Sequence, residues 1–232
     1  MSVQPRLFEF RMGERAPETL VVSAANRDAA GLLTGWRAWP GGALALIGPP
    51  GSGKTHLALA WAVEAGARSL SGLAPPEEAA ALFEEAEGRL LIDDSEAARD
   101  DLTLMRVLDL ARSRRGAVLL VGETPPAAWA TPIPDVHSRL ASLPTARLGE
   151  PDEILLEVVL RRICRERFIE VREDAAKYLA GRMERTFAAI HDLAGVLDEL
   201  VVRGRKPVTV ALARKALEQV EALRSRRETD DG

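Results

Sequence analysis

Residues 43–55 read Ala43-Leu44-Ala45-Leu46-Ile47-Gly48-Pro49-Pro50-Gly51-Ser52-Gly53-Lys54-Thr55. The short continuous apolar run Ala43 to Ile47 suits a strand buried on both faces of a parallel sheet. The eight residues after it match G-x-x-x-x-G-K-[ST], the Walker A pattern. In that pattern the glycines let backbone N–H groups turn inward around phosphate oxygens, and the following helix adds the positive end of its dipole. Lys54 reaches the β- and γ-phosphates, and Thr55 offers a hydroxyl to Mg²⁺. Thr55 to Gly66 reads as that helix. A glycine-rich turn without a ligand is the plainer reading, but the full pattern between a buried strand and a helix speaks against it.

Working outward, Arg89 to Ile92 is a second apolar strand, ended by Asp93 and Asp94. Two aspartates after a strand can simply cap a helix. Beside a Walker A loop they read as Walker B, with Asp93 holding Mg²⁺ through water and Asp94 orienting or deprotonating an attacking water. Further strands are expected at Arg68 to Leu70 and Ala117 to Val121. Further helices are expected at Asn26 to Trp36, from Pro75-Pro76 through Glu87, and at Leu102 to Ser113. The alternation predicts a doubly wound α/β parallel sheet. Leu140 to Leu148 reads as a connecting stretch. From Pro151 on there is no strong strand signal, and helices are expected over Asp152 to Arg167, Glu173 to Arg182, Phe187 to Arg203 and Val210 to Arg224. The expected organisation is an arm over residues 1–16, with a break at Pro17, a nucleotide-binding domain over 17–148, a small helical domain over 149–227 and a disordered acidic tail over 228–232.

Bulk properties narrow the class. The chain has 232 residues, 47% hydrophobic and 28% charged, enough for a core without staples. A single cysteine, Cys164, permits no internal disulfide and fits a reducing cytoplasm. No apolar run approaches the roughly 20 residues of a membrane helix, and Met1 to Arg15 has no signal-peptide core. A net charge of −4 argues against a protein that coats nucleic acid. The basic clusters Arg112, Arg114, Arg115 and Arg203, Arg205, Lys206 read as solvated helix ends. Cys164 and the four tryptophans read as packing residues. His191 reads as a local hydrogen-bonding or packing residue, and so does His56, which lies beside the loop. No metal-ligand spacing stands out beyond the Mg²⁺ carboxylates.

Several motifs together resemble the AAA+ P-loop NTPases, an α/β domain followed by a small helical lid, and more narrowly the ATPase domain of the initiator DnaA. Gly53-Lys54-Thr55-His56-Leu57 is similar to the G-K-T-H-L of initiators and helicase loaders, and Leu91-Ile92-Asp93-Asp94 to the initiator's L-I-D-D. Val118 to Pro126 resembles the initiator's sensor 1 strand, which implies that role for Glu123, although the initiator has the shorter Asp there. Ser138-Arg139-Leu140 resembles the arginine-finger segment, with Arg139 as a surface residue the alternative. Arg185 in Glu184-Arg185-Thr186-Phe187 fits the sensor 2 arginine, with an ordinary salt bridge the alternative. Val21-Val22 and Asn26 resemble the segment beside the adenine. The resemblance implies ADP or ATP with Mg²⁺ as ligands.

The arm adds Gln4-Pro5-Arg6-Leu7-Phe8, which fits the clamp-binding pattern Q-x-x-L-F. Gln4 would bond at the rim of the sliding clamp's pocket while Leu7 and Phe8 fill it. The alternative is that Leu7, Phe8 and Phe10 fold back on the chain's own surface. The initiator's DNA-reading domain has no counterpart here, so sequence-specific DNA binding is not expected, and no membrane contact is expected either. Clamp peptide and initiator-like module together resemble the Hda family, the proteins of regulatory inactivation of DnaA, in its alphaproteobacterial type. That resemblance implies a cytoplasmic negative regulator of replication initiation. It would bind the DNA-loaded sliding clamp of DNA polymerase III and stimulate ATP hydrolysis by DnaA more than its own, as a homodimer or oligomer if its AAA+ module self-associates. A helicase loader of the DnaC or IstB type and a non-hydrolysing nucleotide-bound adaptor are the competing readings.

Overall fold

The protein is described here from a computed structural model covering residues 7–8, 20–97, 99–202 and 207–230. It divides into two compact units, 1–149 and 150–232.

The first unit is built on five parallel strands: β3 (Ala43–Ile47), β4 (Arg68–Ser69), β5 (Arg89–Ile92), β6 (Ala117–Gly122) and β7 (Thr145–Arg147). Their order across the sheet is β4-β5-β6-β3-β7. Every residue of β3 and β6 is buried, as central strands covered on both faces require. Side chains alternate between two apolar layers. On one face Leu44, Leu46, Leu91, Leu119 and Val121 pack on α1 (Arg27–Thr34) and α2 (Lys54–Ala65), around Leu33, Ala58 and Trp61. On the other, Leu90, Ile92, Val118 and Leu120 pack on α3 (Pro76–Glu85), α4 (Asp101–Arg114) and α5 (Pro134–Ala141), around Phe83, Val107, Val136 and Leu140. The α/β reading of the alternating pattern is thus correct.

Helix α5 and strand β7 escaped the sequence reading. The stretch expected to be only a connection, Leu140 to Leu148, holds the end of α5 and the edge strand β7. Strand β7 has three residues, and only Ala146 among them is buried, so it carries too little apolar signal to be read locally. Helix α5 starts on Pro134, where a missing N–H costs nothing. The first helix is shorter than expected, because Trp36–Ala38 forms a 3₁₀ turn instead.

The second unit holds four helices: α6 (Glu153–Glu166), α7 (Glu173–Ala180), α8 (Phe187–Val202) and α9 (Val210–Asp230). Asp152 caps α6 by accepting the Leu155 N–H at 2.8 Å. Leu156, Leu160, Leu179, Ile190, Leu193, Leu197, Ala213 and Ala216 form the core. Cys164 lies in that core, and burial pushes its thiol up to about 11. A parallel bridge between Val171 and Val208 ties the segment after α6 to the entry of α9. Helix α9 continues to Asp230, into the stretch expected to be a disordered tail.

In the arm, β1 (Leu7–Phe8) pairs antiparallel with β2 (Leu20–Val21). The backbone at Leu7 and Phe8 is therefore turned back along the chain. Gln4, Phe10, Pro17, Arg203, Arg205 and Lys206 lie outside the described residues. Among the described residues no helix is long and apolar enough to cross a membrane.

Candidate nucleotide site

Strand β3 is the point where the sheet's order reverses. The chain moves away from it to β4, returns through β5 and β6, and then crosses to β7 on its other side. The carboxyl end of such a strand opens a crevice in which ligands of α/β sheets bind. The Gly48–Thr55 loop leaves the sheet there. A Cβ at Gly48 would lie 2.6 Å from the Leu148 carbonyl oxygen, so only glycine lets the loop pass the end of β7. Gly51 (φ 70°) and Gly53 (φ 89°) take the left-handed conformation that turns successive N–H groups to one side.

The loop's polar groups fit an anion. Lys54 Nζ arches back and donates to the carbonyls of Gly48 at 2.8 Å and Pro49 at 2.9 Å, which holds the ammonium over the loop. Ser52 is buried, and its hydroxyl has no hydrogen-bond partner. A buried polar atom left unpaired is costly unless a ligand completes it. A glycine arc, an inward ammonium, an unpaired hydroxyl and the start of α2 suit a polyphosphate held by Gly48, Pro49, Pro50, Gly51, Ser52, Gly53, Lys54 and Thr55. Among the described residues no three His, Cys, Asp or Glu side chains gather into a cation site. A Mg²⁺ here would therefore take phosphate oxygens together with the Thr55 hydroxyl and Asp93. His56 follows on the exposed start of α2. Asn26 is buried, and its Oδ1 accepts the Ser23 N–H at 2.9 Å, so it shapes the turn into α1.

Asp93 and Asp94 emerge exposed at the end of β5. Asp94 has φ 52°, a conformation aspartate tolerates better than most residues, and its N–H donates to Asp93 Oδ1 at 3.0 Å. Register places this end beside that of β6, since Ile92 lies opposite Leu120. Glu123, one residue beyond β6, is exposed at the same edge.

The residues that hold the two strand ends together were not read from the sequence. Ser95 is fully buried; its Oγ donates to the Ile92 carbonyl at 2.6 Å, and its N–H donates to the Val121 carbonyl at 2.7 Å. Glu96 Oε2 accepts the N–H groups of Glu123 at 2.8 Å and Thr124 at 2.9 Å, and Oε1 accepts the Thr124 hydroxyl at 2.7 Å. Arg99 Nη1 donates to the Glu96 carbonyl at 2.6 Å, Nε pairs with Asp101 at 3.1 Å, and Nη2 reaches the Ala130 carbonyl. The loop after Walker B is thereby tied to the loop after β6. No spacing rule announces this, because the partners lie 27 and 28 residues apart.

This latch has a pH signature. Burial works against the Glu96 carboxylate, but the Thr124 hydroxyl, the N–H groups of Thr124 and Glu123, and Arg99 outweigh it and hold the carboxyl below its ordinary value of 4.5. A depressed folded value stabilises the fold above the ordinary value and loses that contribution as pH falls through the folded one. Glu96→Gln is expected to lower Tm at pH 7 and to flatten the fall in Tm below about pH 4.5; thermal melts from pH 3 to pH 7 check it.

Arg139, in the last turn of α5, is part-exposed and pairs with Asp109 of α4 at 2.6 Å. Arg185 belongs to the helical unit, where it pairs with Glu153 at 3.1 Å.

No protein-family model matches the chain, and no curated protein matches it in sequence. Solved structures do. The RuvB Holliday junction branch migration motor of Thermotoga maritima aligns with TM-score 0.60 and 23% identity over 75% of this chain and 60% of that chain. The replication initiator DnaA bound to AMPPCP and single-stranded DNA aligns with TM-score 0.58 and 17% identity over 79% and 66%. Domain III of T. maritima DnaA aligns with TM-score 0.61 and 20% identity over 87% of this chain and 94% of that one. The chain thus spans about three fifths of RuvB but nearly all of the DnaA domain. With its parallel five-stranded sheet, its phosphate loop after β3 and these neighbours, the chain has the AAA+ P-loop NTPase fold, similar to RuvB and to domain III of DnaA.

Proposed function

We propose that this chain is an adenine-nucleotide-binding regulator that stimulates ATP hydrolysis by DnaA, with Arg139 completing the partner's site in trans. The observation that carries the reading is the placement of Arg139. It stands on α5 with its guanidinium turned to Asp109 of α4 and not to the chain's own phosphate loop. A surface arginine held this way is suited to meet a γ-phosphate on a neighbouring molecule, since a part-exposed pair such as that with Asp109 contributes little and can be exchanged for a stronger one. Fold likeness to domain III of DnaA supports a partner of the same architecture.

In this reading the chain's own Gly48–Thr55 loop would hold ADP or ATP as a structural ligand, with Asp93 and Thr55 on Mg²⁺, and its own ATP turnover would be slow or absent even with Asp94 in place. Arg185 relates the nucleotide's state to the helical unit. Gln4, Leu7 and Phe8 would form the attachment to the sliding clamp, which would require the β1–β2 pairing of Leu7 and Phe8 to open.

The test mixes DnaA loaded with labelled ATP, sliding clamp on DNA, and this chain with ADP, ATP or no nucleotide. Phosphate release accelerated only when chain, clamp and nucleotide are all present supports the proposal. Release at the rate of DnaA alone would sink it.

A further inference from the structure

An arginine that completes a partner's site must be aimed, and the part-exposed Arg139–Asp109 pair is too weak to aim it. The aim is set by α5. That helix buries two residues, Val136 and Leu140, one turn apart, which seat it along a single line. A single line of contact does not fix rotation about the helix axis. At a side-chain radius of about 6 Å, a roll of about 10° carries a guanidinium about 1 Å, and a misplacement of about 1 Å can cost about 10²-fold in rate. Whatever fixes the roll of α5 therefore governs Arg139.

The entry to α5 carries a part-buried polar anchor. The Thr131 hydroxyl donates to Asp101 Oδ2 of α4 at 2.5 Å and accepts the Ile133 N–H at 3.2 Å. Asp101 Oδ1 accepts from Arg99 Nε at 3.1 Å, so both carboxylate oxygens are engaged. The Arg99 and Asp101 side chains are only 8% and 16% exposed, which shields the anchor from water. Arg99 also donates to the carbonyl of Ala130, the residue before Thr131, and its Cζ lies over the Trp129 ring, 5.6 Å from the centroid. The chain between anchor and helix is stiff. Pro132 and Pro134 fix their own φ, and each favours an extended residue before it, as Ile133 shows at φ −99° and ψ 109°. An anchor at 130–131 is thus transmitted to the first turn of α5 with little slack.

We propose that Asp101 is a positioning residue: through Thr131 it fixes the roll of α5 and so aims Arg139 at the partner's γ-phosphate. The proposal rests on the trans role of Arg139 given above. Thr131 is the member whose loss leaves the others in place. Neither the Arg99–Asp101 pair nor the bonds from Glu123 and Thr124 to Glu96 pass through it.

Single-turnover ATP hydrolysis by DnaA, with sliding clamp on DNA, ADP and the full chain, tests it. Thr131→Val keeps the side chain's shape and removes the hydroxyl. It should lower the maximal stimulated rate about tenfold, while the half-saturating concentration of the chain and its ADP affinity stay at wild-type values. Asp101→Ala should lower the rate at least as much, and Thr131→Ser, which keeps the hydroxyl, should match the wild type. Amide hydrogen exchange of the chain alone reads the anchor directly. In Thr131→Val, residues 137–141 of α5 should exchange about tenfold faster, with 104–111 of α4 unchanged. Unchanged exchange in α5 overturns the proposal whatever DnaA does. So does a Thr131→Val rate equal to wild type, or a fall that comes with weakened ADP binding or a raised half-saturating concentration; in each of these cases the trans role of Arg139 still stands. A wild-type chain that gives no stimulation overturns that role, and this proposal with it.

Discussion

Arg139→Ala is expected to cut the stimulation of DnaA's ATP hydrolysis by about 10³-fold or more, the usual worth of an arginine supplied in trans to a γ-phosphate. The chain's own nucleotide affinity should not change, because Arg139 pairs with Asp109 and touches no part of the Gly48–Thr55 loop. Stability should hardly change either, since a part-exposed ion pair contributes about 0–1 kcal/mol. Arg139→Lys should recover little, as a point charge lacks the planar fork that grips two oxygens at once. Asp109→Asn makes the contrasting case. It frees the guanidinium without removing it, so stimulation should persist. Single-turnover hydrolysis by DnaA with each variant measures all three. If Arg139→Ala stimulates as well as the wild-type chain, the trans role is wrong whatever the clamp does.

Lys54→Ala is expected to lower nucleotide affinity by about 10²-fold or more, since each charge-assisted bond to phosphate contributes about 1.5–3 kcal/mol. At a ligand concentration a hundred times Kd, bound nucleotide stabilises the wild-type fold by about 2.7 kcal/mol. For a chain of this size that is a rise in Tm of about 5–10 °C. The variant should show no such rise at the same ADP concentration. Without nucleotide it should melt close to the wild type, because the bonds it loses go to the Gly48 and Pro49 carbonyls at the loop's open edge, where water can replace them. Calorimetric titration with ADP and thermal melts give the two readings. An unchanged affinity would remove Lys54 from the site.

The Walker A loop was legible because its chemistry is local. Glycine spacing, Lys54 and Thr55 act within eight consecutive residues, and the buried strand before them announces itself by five apolar residues in a row. Asp93 and Asp94 were legible for the same reason, as were the helices of the second unit, whose 3.6-residue periodicity survives any tertiary arrangement. Strand β7 was not legible. Its three residues become a strand only because β3 offers an unpaired edge. Phe168 reads in sequence as one more apolar residue near a helix end, and only the backbone places it outside and Ile169 inside.

The Ser95–Glu96–Arg99 latch marks the same boundary at the site itself. Taken alone, the sequence determined that a phosphate loop follows a buried strand, that two carboxylates end another, and that a helical unit comes after. Those features rest on short-range spacing and on hydrophobic period. The tertiary structure alone decided which strand ends meet, that Glu96 grips the N–H groups of Glu123 and Thr124, and that Arg139 turns to Asp109. Such pairings join residues roughly 30 positions apart, and nothing in local propensity records the register that β5, β6 and α4 adopt once the core has packed.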